Sequence, residues 1–139
     1  MDQQHPDILA QLQSKLEAGE TLLLPMTTIL ETGNHIGQRG DGRQRRQAAG
    51  RFTAQVRLAL DGNSPFVPTR MLSRESLLEW LGEFPDWAMK SDSKGKGSGL
   101  GDLAIVKDFE HQCALHRARR VYIWSLDEHL SGYDRSPEV

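Results

Sequence analysis

The stretch that decides the fold is "LLLPMTTILETGNHIG", residues 22–37. A short, wholly apolar run ended by Pro25 predicts a strand covered on both faces, as in a parallel sheet. The residues after it predict a short helix in which Met26, Ile29, Leu30 and Gly33 or Asn34 share a face. Glu31 follows Ile29 and Leu30 directly. A carboxylate on the flank of an apolar run should prefer water, so its position asks for a reason.

Working outward, "HPDILAQLQSKLEAGE" reads as a helix. Pro6 and Asp7 suit its first turn and Gly19 its C-terminal stop, and Ile8, Leu9, Leu12 and Leu16 form one stripe. Beyond the loop "GQRGDG", residues Arg43 to Leu60 are helical in pattern, with Ala48, Phe52, Val56 and Leu60 in register. Arg43, Arg45, Arg46, Arg51 and Arg57 cover much of the remainder. "SPFVPT" predicts a short strand confined by its prolines to an edge, or an extended link. "SRESLLEWLGEF" predicts a helix capped by Ser73 with a stripe of Leu77, Leu78, Trp80 and Leu81.

"SDSKGKGSG" reads as an exposed loop. "GLGDLAIVKDFEHQCALHRARR" predicts a long helix with Ile105, Val106, Phe109 and Cys113 buried and Arg117, Arg119 and Arg120 at its negative end. "VYIWSLD" predicts a strand and the tail is expected to fray. The alternation implies an α/β fold, a mostly parallel sheet sandwiched by helices in one domain spanning residues 1–139.

Bulk properties fit this. The chain has 139 residues, is 37% hydrophobic and 26% charged, and carries a formal net charge of -2, so it is an ordinary globular chain rather than a general polyanion binder. Its single cysteine, Cys113, precludes an intrachain disulfide and falls on an apolar stripe, where core packing is the expected role. The opening residues lack the basic and apolar regions of a signal peptide, and no apolar run spans a membrane. A cytoplasmic location is expected.

Three carboxylates stand where an open parallel sheet builds sites, beyond the C-terminal ends of strands. Asp127 ends "VYIWSL", Glu31 lies about two helical turns after "TLLLP", and Asp102 opens the long helix. Right-handed crossovers bring such positions to one rim. Converging carboxylates repel one another unless a cation lies between them, and all-oxygen ligands favour Mg²⁺ or Mn²⁺. Each also has a plainer reading: Asp102 as a helix N-cap, Asp127 as a turn residue, Glu31 as an exposed helix edge. His5, His35, His111, His116 and His129 form no zinc motif, and "SKGKGSGLGD" is no phosphate loop.

At these residues the chain resembles PIN-domain nucleases. "LLLPMTTILETGNHI" resembles their strand and glutamate-bearing helix, "GLGDLAIVKDFEHQC" their second acidic segment, and "VYIWSLDEHLSGY" their final strand with a hydroxyl residue and an Asp. The likeness runs from about residue 7 to residue 133. It implies a three-layer α/β/α fold and a cation-dependent ribonuclease acting on single-stranded RNA. Glu31, Asp102 and Asp127 would ligate Mg²⁺ or Mn²⁺, a metal-activated water would attack in line, and Ser125 would support the site. Toxin–antitoxin pairing and homo-oligomers are implied partnerships.

The family's opening strand, which supplies a first Asp, has no counterpart here, since Asp2 and Asp7 follow no strand. The expectation is therefore an N-terminally incomplete PIN-like fold that needs a substitute strand or self-association, or is poorly stable. Two alternatives stand beside the nuclease. One is a PIN-like module that binds RNA or a protein partner without cutting. The other is an unrelated small α/β domain whose acidic residues are caps and turns. Arg39, Arg43, Arg45, Arg46, Arg51 and Arg57 on one side, and Lys90, Lys94 and Lys96 on the other, are candidate phosphate contacts or simply solvated faces.

Overall fold

The computed structural model describes residues 5–38, 40–90, 95, 97–125, 130 and 132–138. The chain is mixed α/β and mostly helical. Its elements are α1 (His5–Glu17), β1 (Leu22–Leu24), α2 (Met26–Gly37), α3 (Gly42–Leu60), β2 (Phe66–Pro68), α4 (Arg74–Ala88), α5 (Leu100–Leu115), β3 (Val121–Tyr122) and β4 (Asp134–Arg135). They fall into two compact units, Met1–Leu24 with Gly33–Thr69, and Pro25–Thr32 with Arg70–Val139.

In the first unit, α1 ends as the sequence predicts. Gly19 adopts φ 76°, Gly19 N–H donates to Leu16 O and Glu20 N–H to Lys15 O, a left-handed glycine stop that satisfies the last helical carbonyls. β1 and β2 pair in parallel, with Leu22 opposite Phe66, Leu23 opposite Val67 and Leu24 opposite Pro68. One face of this pair is covered and the other is not: Leu23 is 37% and Val67 47% exposed. The expectation of a strand buried on both faces is thus not met.

The loop before α3 does more than connect. Asp41 caps the helix by accepting from Gln44 N–H at 2.8 Å, and Gln44 Oε1 accepts from Asp41 N–H at 3.0 Å, a reciprocal capping box. Ala48, Phe52 and Val56 face inward as predicted, but the helix closes on buried Ala59 rather than Leu60, which is exposed.

The second unit holds the main core. Trp80, Trp87, Leu103, Ala104, Val106 and Leu130 are buried, with Phe84, Leu100, Ile105, Ile123 and Tyr133 packed against them. α4 starts at Ser73, whose hydroxyl accepts from Ser76 N–H. It turns its tryptophans inward, while Leu77, Leu78 and Leu81, expected in the core, are exposed. Lys107 ties α5 to α4 through Glu83 at 2.6 Å.

The strands form two separate two-stranded sheets among the described residues, not one larger parallel sheet. "VYIWSL" contributes only Val121 and Tyr122, paired antiparallel with Arg135 and Asp134. Residues 132–138 of the tail, expected to fray, contain β4 and the contacts that hold it. Arg120 grips Asp134 through two hydrogen bonds of 3.0 and 2.8 Å. Arg135 donates to the carbonyls of Cys113, His116 and Arg119. α5 stops at Leu115, and Arg117, Arg119 and Arg120 lie beyond the helix, where Arg135 takes up the carbonyls of Cys113 at its end and of His116 and Arg119 after it.

Candidate functional site at the start of α5

Glu31 shows an inversion of polarity. On α2, Leu30 is 61% exposed while Glu31 beside it is half-buried. Exposing a leucine and withdrawing a carboxylate from water both oppose stability, so the arrangement calls for something that favours the carboxylate where it sits.

What it meets is the first turn of α5. The Glu31 carboxylate lies against Gly101, so closely that a Cβ on Gly101 would overlap Glu31 Oε1. Asp102 is the next residue, in the same turn and half-buried. The N-cap is Gly99, which has no side chain to cap with, so Asp102 is not the N-cap. The positive end of the helix macrodipole faces this turn and favours both negative groups, each by roughly 0.3–1 kcal/mol.

The turn itself is held from α4. Trp87 Nε1 donates to Gly99 O at 3.0 Å, and Ser98 N–H donates to Lys90 O at 3.1 Å. Gly97 runs so close to α4 that an added Cβ would stand 3.2 Å from Ala88 O. Lys90 lies over the Trp87 ring, 4.4 Å from its centre, a cation–π contact. A buried tryptophan thus sets the height of the turn that carries Asp102.

Ser125 is half-buried just beyond β3, and β3 packs on α5. Asp127, Lys94, Lys96 and Arg39 lie outside the described residues. Among the described residues no three His, Cys, Asp or Glu side chains gather into a metal-sized group. The structure brings Glu31 and Asp102 to one helical turn. Two half-buried carboxylates there are a donor set of the right chemistry for a hard divalent cation.

In the first unit, Arg43, Arg46, Arg51 and Arg57 are exposed on α3. Arg43, Arg46, Gly50, Ala54 and Arg57 recur at helical spacing opposite the half-buried Phe52 and the buried Ala59, so three arginines flank a stretch of small residues on the outward face. Arg45 differs from them. It is half-buried and donates to Gly40 O, and so acts locally.

Sequence reading alone missed Gly101, Trp87 and Gly99. The signal for Gly101 was a glycine inside a helical pattern, where it costs about 1 kcal/mol against alanine. Compared with protein-family models, curated proteins and solved structures, the chain matches none. No helix among the described residues is long and apolar enough to cross a membrane.

Proposed function

We propose that the protein is a metal-dependent endoribonuclease of the PIN class that hydrolyses phosphodiesters of single-stranded RNA. The observation that carries this reading is the half-buried Glu31 carboxylate lodged against Gly101, one residue from Asp102, while its neighbour Leu30 is exposed. Glu31 and Asp102 hold Mg²⁺ or Mn²⁺, with Asp127 as the further ligand. When bound, the cation supplies Lewis-acid polarisation of the phosphodiester. Ser125 supports the carboxylates by hydrogen bonding. Arg43, Arg46, Arg51 and Arg57 bind phosphates and leave the chemistry to the acidic residues; Lys94 and Lys96 belong to the same proposal.

The three-layer PIN-like sheet, incomplete at its N-terminal strand, is part of this reading. The parallel β1–β2 pair supports it, and the antiparallel β3–β4 pair does not. A cytoplasmic setting, an antitoxin protein and a second copy of the chain as partners complete the proposal.

The test is cleavage of a labelled single-stranded RNA with Mn²⁺ by the chain and by its Asp102→Asn and Glu31→Gln variants. The chain should cut and each variant should lose about a hundredfold or more, as expected when transition-state charge stabilisation is removed. Equal cutting by chain and variants would remove both residues from the site. RNA binding without cutting would point instead to the non-catalytic PIN-like module.

A further inference from the structure

Gly101 is a glycine without a conformational reason. It sits in the first turn of α5 and is not among the glycines with positive φ, so any residue could adopt its backbone. Alanine would serve the helix better. What only glycine provides is space, and that space is filled by the end of the Glu31 side chain.

We propose that Gly101 is a positioning residue. Its missing Cβ forms the seat that keeps the Glu31 carboxylate beside Asp102, in the arrangement that receives a divalent cation. The inference rests on the metal reading above and adds a residue to it. Gly101 touches no cation and acts only through Glu31. A side chain there would meet Oε1 and Cδ, the far end of a flexible chain, rather than backbone. Glu31 can therefore swing away and leave the fold intact. Gly101→Ala thus displaces a carboxylate without deleting it.

The experiment is titration of the whole chain with Mn²⁺ alone, followed by electron paramagnetic resonance of the free ion, beside thermal melts. Gly101→Ala should bind Mn²⁺ about tenfold or more weakly, the scale on which groups that orient metal ligands act. Its melting temperature should be unchanged or higher, because alanine favours the helix. In a Glu31→Ala background the same substitution should change Mn²⁺ binding by less than about twofold, since coupled residues do not add.

Unchanged Mn²⁺ binding by Gly101→Ala would overturn the role given to Gly101 and leave the metal reading standing. An equal loss in both backgrounds would also overturn it, because the effect would not pass through Glu31. Absence of Mn²⁺ binding by the unsubstituted chain would overturn the metal reading and the purpose of the seat together. Should Gly101→Ala unfold, adding Glu31→Asp shortens the carboxylate arm and must restore folding; failure to do so would refute the overlap itself.

Discussion

The indole of Trp87 and the carbonyl of Gly99 are joined by a 3.0 Å hydrogen bond from the end of α4 to the N-cap of α5. It fixes where α5 begins, and with it the height at which Asp102 stands. The expected outcome of Trp87→Phe, which keeps the ring and loses the donor, is a destabilisation of about 1 kcal/mol. Trp87→Ala, which also empties the core, should cost about 3–5 kcal/mol. Urea unfolding checks both. Trp87→Phe should also weaken Mn²⁺ binding, while Trp80→Phe, equally buried but with no tie to that turn among the hydrogen bonds described above, should not.

Replacing Arg43, Arg46 and Arg57 together by Gln should weaken single-stranded RNA binding for every sequence tried. Each phosphate contact contributes about 0.7 to the slope of log affinity against log salt on single strands. Loss of three contacts should flatten that slope by about 2. Arg45→Gln, which removes a donor to Gly40 O rather than an outward charge, should leave the slope unchanged. Filter binding across a salt series measures both.

Arg120 hydrogen-bonds the Asp134 carboxyl and holds it below the ordinary carboxylate range. A depressed carboxyl favours the folded state above its unfolded pKa and loses that contribution as pH falls through the lower, folded value. The β3–β4 pair should therefore loosen in acid, below about pH 4, with a midpoint below that of an ordinary Asp. Asp134→Asn should abolish this acid step. Chemical-shift titration of Tyr122 and Tyr133 reads it.

Burial raises the Cys113 thiol above its usual range, Arg135 offsets part of this, and Glu110 and Glu138 add to the rise. Less thiolate is present at neutral pH, and the thiol should react slowly. Iodoacetamide at pH 8 should label Cys113 more slowly than in the urea-unfolded chain, because less of the thiol is ionised when folded.

Removing the Arg135 side chain takes a donor from each of the carbonyls of Cys113, His116 and Arg119, of which His116 O keeps the Arg119 N–H. Arg135→Ala should cost about 1.5–3 kcal/mol, as hydrogen bonds from charged groups do. Amide exchange should accelerate first in the last turn of α5, and denaturant unfolding should report the overall loss.

The local features were legible in the sequence. The Gly19 stop, the Ser73 cap, the short strand before Pro25 and the inward face of α3 all follow from residues a few positions apart. What depended on distant partners was not. "VYIWSL" carries a strong strand signal, yet among the described residues only Val121 and Tyr122 form a strand pair, and their partners are two charged residues of the tail, Arg135 and Asp134. Of the predicted α4 stripe only Trp80 is buried; Leu77, Leu78 and Leu81 are exposed, and Trp87 joins Trp80 in the core. Glu31 was visible as an oddity of polarity. Its seat was not, since Gly101 is seventy positions away in the chain and no periodicity connects the two.

The clasp from Arg135 back to α5 carries a consequence for biosynthesis. Ribosomes deliver the end of this helix roughly 20 residues ahead of the arginine that takes up its exposed carbonyls, an interval of about 1–4 seconds at 5–20 residues per second. Throughout that interval both ends of the clasp lie within the ribosome, so the contact forms only after both have emerged.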